Sequence, residues 1–456
     1  LKSNAYYSTG VSTGSNRQGW LTYVESVDSG TLLSVANGAY ADLTTAQSAS
    51  ISKVNPITVS WDGGSILGGG IGSGHDGLSL DHTSNSSVSN VKVDGCEGIG
   101  IGCYYSINVL VDHCDVFNCT SSATIGNSGY GFLAGSGSFG VTASNNEFRN
   151  CRHSVSGGGV ATVRGVSILN NRSFAGGRNS SDFDCHEPCF DWVFDGNTIT
   201  QGNSSNGGMV IRGKNVKIIN NTFNGGNGIL IQTFIVDTNG QTGVLISGNA
   251  TLGCNYAIKL DTTSSAINGV TIANNYLQDS DFQAIFLDDA TDVTVSNNTI
   301  KGTADGAGTN GNGIDSRGGS NIIIDGNWTA SAANGVYLDA STAVTITGNN
   351  ITANTGNLSS RHGISVDDSS DVTITGNTVL ASANTADSHG IQILATAGTS
   401  LDHVVSGNVI KDFDKGVRSI VGADYTICTS NNVRSCTSTL KIDITGAGSI
   451  SANNII

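Results

Sequence analysis

Through most of the chain, apolar and polar residues alternate in short runs that close on Gly-Asn or Asn-Asn. Examples are Val-Thr-Ala-Ser-Asn-Asn (141–146), Val-Ser-Ile-Leu-Asn-Asn (166–171), Trp-Val-Phe-Asp-Gly-Asn (192–197), Val-Lys-Ile-Ile-Asn-Asn (216–221), Val-Thr-Ile-Thr-Gly-Asn (372–377) and Ser-Ile-Ser-Ala-Asn-Asn (449–454). Period-two alternation predicts a strand with one buried face, and a terminal Asn suits a left-handed turn. The second Asn of the phrase recurs thirteen times, at 146, 171, 197, 221, 249, 275, 298, 327, 349, 377, 408, 432 and 454, a spacing of 22 to 31 residues. A unit this short cannot bury its own apolar face and must stack on its neighbours. The predicted architecture is all-β, a single-stranded right-handed parallel β-helix whose loops vary in length on a constant strand scaffold. Leucine-rich repeats would need far more Leu, propellers a longer period, and calcium-binding rolls serial Gly-Gly-x-Gly-x-Asp.

Composition fits one long solenoid. Among 456 residues, Gly 62 and Pro 2 suit many tight turns and few lost backbone donors. Val-Lys-Val-Asp-Gly-Cys (91–96) and Val-Leu-Val-Asp-His-Cys (109–114) extend the repeat, with Cys expected where Asn would stand. Residues 1–60 lack the phrase and are expected to form an N-terminal cap with the first strands, leaving 61–456 as the helix proper, one domain with its cap. No apolar run is long enough to span a membrane, and Leu1 is expected to follow a removed leader. Ten cysteines lack metal-module spacing; stacked thiols and disulfides, including Cys185–Cys189 and Cys428–Cys436, are both open. With the acidic balance they favour an extracellular, secreted or virion-associated protein. A monomer and a spike-like homotrimer are both compatible.

The formal net charge of −15 disfavours nucleic-acid partners. Against that background, residues 149–217 carry eight of the 21 Lys and Arg: Arg149, Arg152, Arg164, Arg172, Arg178, Arg212, Lys214 and Lys217. His153, Asp184, His186 and Glu187 lie in the same stretch. Coil stacking should turn residues about 25 apart in sequence into neighbours, so Arg152, His153, Arg178, Asp184, His186, Glu187, Arg212 and Lys214 are expected to line one groove.

One segment gives this cluster a chemistry. Asp-Phe-Asp-Cys-His-Glu (182–187) precedes the strand 192–197, with His186 eleven residues before Asn197. It resembles the mannuronan C5-epimerase family of parallel β-helix enzymes, whose signature reads Tyr-Gly-Phe-Asp-Pro-His-Glu before an equivalent strand and Asn turn. The match rests on Phe183, Asp184, His186 and Glu187. The fold implied is that of the pectin-lyase-like solenoids, shared with phage tailspike depolymerases. The resemblance implies proton transfer by His186 at the C5 of a uronate, with Asp184 orienting it or neutralising charge, and Arg152 against the substrate carboxylate. Ser181 stands where the family has Tyr and Cys185 where it has Pro, so β-elimination by a lyase is expected ahead of epimerisation. His153, Tyr104, Tyr105 and Tyr130 are candidates for the second acid or base. Arg178, Glu187, Arg212 and Lys214 are expected to bind an acidic polysaccharide such as alginate.

The chemistry fits the residue types. An Arg or Lys neutralising the carboxylate makes the adjacent carbon acid removable, and His accepts a proton near neutral pH. The enzymatic alternative is a tailspike-type glycoside hydrolase with paired carboxylates, for which Asp288-Asp289 and Asp367-Asp368 are candidates, Gly-His-Asp-Gly (74–77) being a weaker one. A metal held by His153, Asp184 and His186, or Ca²⁺ on carboxylates elsewhere, is a lesser reading, with no cofactor required. The non-enzymatic alternative is a β-helix adhesin, which has no need of a local His, Arg and acid cluster.

Overall fold

The computed structural model describes four short strands between residues 2 and 35 and then most of 56–456. Outside the described residues lie 71–74, 121–128, 160, 175–180, 187–188, 202–206, 233–240, 263–266, 304–310, 332, 354–360, 383–385, 397–399, 421 and 439–441. The early strands pair antiparallel, Lys2–Tyr6 with Arg17–Gly19 and Val24–Ser29 with Leu32–Val35. From Ser60 onward the named strands pair in parallel, and the chain is a right-handed β-solenoid.

It packs as two compact units, Leu1–Thr222 with Thr233–Gln241, and Phe223–Gln232 with Thr242–Ile456. In the first, each coil gives one strand to each of three parallel sheets. The first sheet holds Leu78–Asp81, Ile99–Tyr104, Tyr130–Gly135, His153–Gly158, Phe183–Cys185 and Met209–Ile211. The second carries strands such as Ile107–Asp112, Thr142–Ser144, Ser167–Leu169 and Val193–Asp195. The third carries Lys92–Asp94, Asp115–Phe117, Glu147–Arg149 and Arg172–Phe174. The second unit repeats the scheme, its first sheet running from Ile229–Gln232 through Ile314–Arg317 and His389–Leu394 to Ile442–Ile444. Alternation does what the sequence implies: in Val-Thr-Ile-Thr (372–375), Val372 and Ile374 are fully buried while both Thr face outward.

The two residues of the turn phrase divide the work. The first takes the left-handed conformation, as Asn145 (φ 55°), Gly196 (φ 68°) and Asn297 (φ 54°) do. The second turns inward and builds a buried ladder between the second and third sheets. Asn171 donates its side-chain amide to Asn197 Oδ1 at 3.1 Å and to the carbonyl of Ala143 at 2.9 Å, while its own Oδ1 accepts from Asn146. The rung expected at Asn432 is instead Asn431, because Ser430 (φ 55°) takes the left-handed position one residue earlier.

The cysteines also divide. Cys114 occupies a ladder position, its N–H donating to Asn146 Oδ1 at 2.8 Å. Cys96 does not: the pairing of Lys92–Asp94 with Asp115–Phe117 carries it to the next corner, where it interacts with Cys119, and Cys119 with Cys151. All ten are free thiols, nine of them buried, so neither short-range disulfide is formed.

Candidate active site

On the first sheet, Phe183 and Cys185 are fully buried, in register with Val155 and Gly157 on one side and Met209 and Ile211 on the other. Alternation therefore turns Asp184 outward. It is nevertheless only 3% exposed, because Arg212, His186 and His153 close over it. Arg212 Nη2 donates to both its oxygens at 2.5 and 2.7 Å. His186 Nε2 lies 2.7 Å from Oδ2, and His153 Nε2 faces the same oxygen at 3.6 Å. Burial alone would push this carboxyl up, but Arg212 and His186 outweigh it and hold it well below the usual carboxylate range. Because the guanidinium covers both oxygens, it fills the place a cation would take. The three-ligand metal reading of His153, Asp184 and His186 is thus not met.

Backbone and packing fix these side chains. His186 donates its N–H to the carbonyl of Gly157 at 3.0 Å, and Arg212 donates its own to the carbonyl of Cys185 at 2.8 Å. Gly157 is needed here because a Cβ would sit 2.2 Å from the indole of Trp192, which lies fully buried beneath the site. Trp192 packs on Phe194 at 5.7 Å between ring centroids, and Phe194 on Phe183 at 6.1 Å. The strand after the motif is thus the floor on which Asp184 stands.

His153 is 1% exposed. Its Nδ1 lies 2.7 Å from the carbonyl oxygen of Ser181, which can only accept, so the proton is assigned to Nδ1 and a lone pair to Nε2. Burial lowers its pKa to about 4 and Arg152 adds to this, against the raising influence of Asp184, so it stays neutral. A side chain this enclosed does not touch a substrate. His153, expected as a second acid or base, is thus enclosed between Asp184 and Tyr130, whose ring lies 5.4 Å away.

Tyr130 is the Tyr the structure brings in. Arg152 stacks over its ring at 5.8 Å, and burial raises its pKa, keeping the phenol protonated at neutral pH. Tyr104 belongs to the preceding coil and packs against Gly135, with its pKa pushed to about 12 chiefly by burial. Tyr105 stacks on His82 at another corner, 5.2 Å between centroids.

The expected groove is narrower than the basic cluster implied. Arg149 and Arg172 stack on Phe174 from the third sheet, Arg164 pairs with Asp191 at 2.5 Å near the second, and Lys217 lies on the second. Lys214 sits at the corner after Arg212, its backbone bridging to Phe190. Arg178 and Glu187 lie outside the described residues. Among the described residues, Arg152 and Arg212 are the cations beside the motif.

Asp182, which heads the motif but was given no role, is fully buried beneath the cluster. It accepts from Ser173 Oγ at 2.7 Å and from the N–H of Gly208 at 3.0 Å, yet burial dominates and lifts its pKa to about 7. A carboxyl raised in the folded state stabilises most below its unfolded pKa and loses that contribution as pH rises towards 7. Asp182→Asn should flatten this fall. Its amide can donate to Ser173, which can pass its proton to Ser154 at 2.7 Å, and its oxygen can accept from Gly208. In urea titrations the variant should gain up to about 4 kcal/mol on the wild type between pH 4 and 8; parallel pH profiles would refute the assignment.

In the second unit, Asp289 (φ 46°) and Asp368 (φ 44°) are left-handed turn residues, while Asp288 and Asp367 end strands of the first sheet. The adjacent pairs are therefore split between strand and turn. Carboxylate oxygens of Asp339, Asp367 and Asp368 lie within 4.8 Å of one another. Nearby Asp315 is buried and held by Asn312, Gln283 and Arg317.

Comparison with known proteins bears on the fold. No curated protein sequence matches the chain. Solved structures of similar shape include the periplasmic alginate epimerase AlgG, with 15% identity, a TM-score of 0.43, and coverage of 66% of this chain and 78% of that one. PfbA, a surface adhesin of Streptococcus pneumoniae, has 13% identity and a TM-score of 0.45, covering 75% and 84%. The tailspike protein of E. coli bacteriophage HK620 has 13% identity and a TM-score of 0.49, covering 87% and 72%. The family model described as "Right handed beta helix region" matches residues 154–307 and 256–456, and with two-thirds of its length so matched the chain belongs to that family.

Proposed function

We propose that the chain acts on a uronate-containing polysaccharide by abstracting the C5 proton, with β-elimination the favoured outcome. The observation that carries this reading is the Asp184–His186–Arg212 cluster with Tyr130 and Arg152 beside it. With Nε2–H of His186 donating to Asp184, its Nδ1 is left with a lone pair. His186 is 35% exposed, so that lone pair can meet substrate where His153 cannot. The contact of Arg212 Nη2 with His186 Nε2, at 3.0 Å, is then proximity imposed by the shared carboxylate.

Arg212 is committed to Asp184, and Arg152, which also bonds to Tyr130, pairs with the sugar carboxylate and stabilises charge developing at C5. The C5 proton passes to His186 Nδ1 and its electron pair forms the C4–C5 double bond. As the C4–O4 bond breaks, O4 takes a proton from Tyr130, whose raised pKa keeps it a donor. Tyr130 thereby answers for the Tyr missing at Ser181. If the O4 bond holds and a proton returns to the other face of C5, the same groups epimerise.

Incubation with alginate, pectate and glycosaminoglycans, following ultraviolet absorbance of the 4,5-unsaturated product, tests this. His186→Ala should abolish the rise and Tyr130→Phe should cut it about 100-fold or more. Solvent exchange at C5 without absorbance would make the enzyme an epimerase. New reducing ends without either would sink proton abstraction and favour the acidic coils of the second unit as a hydrolase site.

A further inference from the structure

We infer that Arg418, Gln392 and His389 form a second binding site, for an acidic sugar, on the first sheet of the second unit. The inference rests on the uronate reading for its ligand class, but on different residues. Ile391 and Val417 are fully buried and in register, so Gln392 and Arg418 turn outward from adjacent strands as side-by-side neighbours. Three buried polar atoms here have no hydrogen-bond partner among the described residues: Arg418 Nε, Gln392 Oε1 and His389 Nε2. Gln392 is 5% exposed and His389 is 1% exposed, so bulk water does not account for them.

The hydrogen-bond pattern says what each atom wants. The N–H of His389 donates to His362 Nδ1 at 3.2 Å, so that nitrogen carries a lone pair. His389 Nδ1 faces the same atom at 3.2 Å in a ring stack of 4.9 Å and must hold its own proton there. His389 Nε2 is thereby left as an acceptor. Burial keeps both rings neutral, with pKa values of about 3 for His362 and about 4 for His389. Arg418 is a cation with no carboxylate among the described residues. Its register neighbour Asp443 is taken by Lys415 at 2.6 Å, whereas Arg212 and Arg317 are each paired, with Asp184 and Asp315.

One cationic donor beside two neutral acceptors selects the ligand. An inorganic anion would satisfy Arg418 and leave both acceptors unmet. A neutral sugar would satisfy the acceptors and leave the charge. A uronate residue offers a carboxylate to Arg418 and hydroxyl protons to Gln392 and His389.

Calorimetric titration of the full chain with mannuronate and galacturonate trimers, mannotriose and inorganic sulfate tests this. A uronate trimer should bind at two classes of site. Arg418→Gln should weaken one class about tenfold or more and leave the other intact. Gln392→Glu, which gives Arg418 an internal partner, should do the same, and circular dichroism checks that both variants fold. Arg152→Gln should weaken the other class. If Arg418→Gln leaves uronate binding unchanged, the second site is wrong, whatever Arg152→Gln does. If Arg152→Gln alone has no effect, the catalytic reading is what fails. Equal affinity for sulfate or mannotriose at the Arg418 class would also overturn the assignment.

Discussion

Replacing Asp184 with Ala should lower stability by about 3–5 kcal/mol and reduce turnover by at least about 1,000-fold, with a smaller change in KM. The first effect follows from Arg212, whose side chain is 11% exposed and whose charge would lose its bonds to both carboxylate oxygens. The second follows from His186, which would keep no anion to hold Nε2–H and present Nδ1 as a base. Adding Arg212→Met to Asp184→Ala should restore part of the stability, because the stranded charge is gone, while turnover stays low. A coupling energy of about 1–3 kcal/mol in that cycle would identify the pair as one unit. Additive losses would mean that the carboxylate and guanidinium act separately. The same carboxyl sets an acid limit. Its folded pKa lies below its unfolded value, so its contribution is present above the ordinary Asp range and lost as pH falls through the lowered value. Asp184 and Asp182 thus pull in opposite directions, one favouring neutral pH and the other mild acid.

How much of this was legible depended on whether a feature is local. The strands were, since alternation and a left-handed residue are properties of six consecutive positions. The ladder was nearly so, and Ser430 displaced one rung because Ser can adopt the left-handed conformation when the next residue supplies the buried amide. Which face a side chain occupies was less legible. Eight cations crowd one stretch, but register sends Arg149 and Arg172 to the third sheet and Arg164 towards the second; of the cations expected in the groove, Arg212 pairs with Asp184 and Arg152 lies over Tyr130. The burial of individual polar side chains was not legible. His153 and His186 look alike as letters, yet one is enclosed between Asp184 and Tyr130 and the other opens to solvent. The second unit carries one local sign of its own. His-Gly-Ile occurs at 362–364 and again at 389–391, one coil apart, which by itself implies two stacked imidazoles.

Replacing a central rung of the Asn ladder should be nearly as damaging to the fold as losing Asp184, although no rung lies in the site. Asn349 is 2% exposed. Its amide donates to Asn377 Oδ1, Ile324 O and Thr347 O, each at 2.9 Å, and its Oδ1 accepts from the backbone and side chain of Asn327 at 2.9 and 3.0 Å. Asn349→Ala would strand the backbone N–H of Asn327 and the carbonyl of Ile324 in a dry interior, at about 1–3 kcal/mol for each group left unmet, while the Asn327 amide keeps Val295 O and Asp325 O. A loss of roughly 3–5 kcal/mol is expected once a water or a small shift recovers part of it. Asn349→Asp should be no milder, since it keeps the shape but turns a donor into a buried charge facing carbonyl oxygens. Asn454→Ala should cost less, about 1 kcal/mol, because that rung is only half-buried and water can replace part of its bonding. Coils in a solenoid are coupled mainly to their neighbours, so the interior variant should also broaden the urea transition or split it in two, with amide exchange rising first in the coils beside Asn349. A single sharp transition at the wild-type midpoint would show that the apolar columns hold the coils together and that the Asn ladder only follows them.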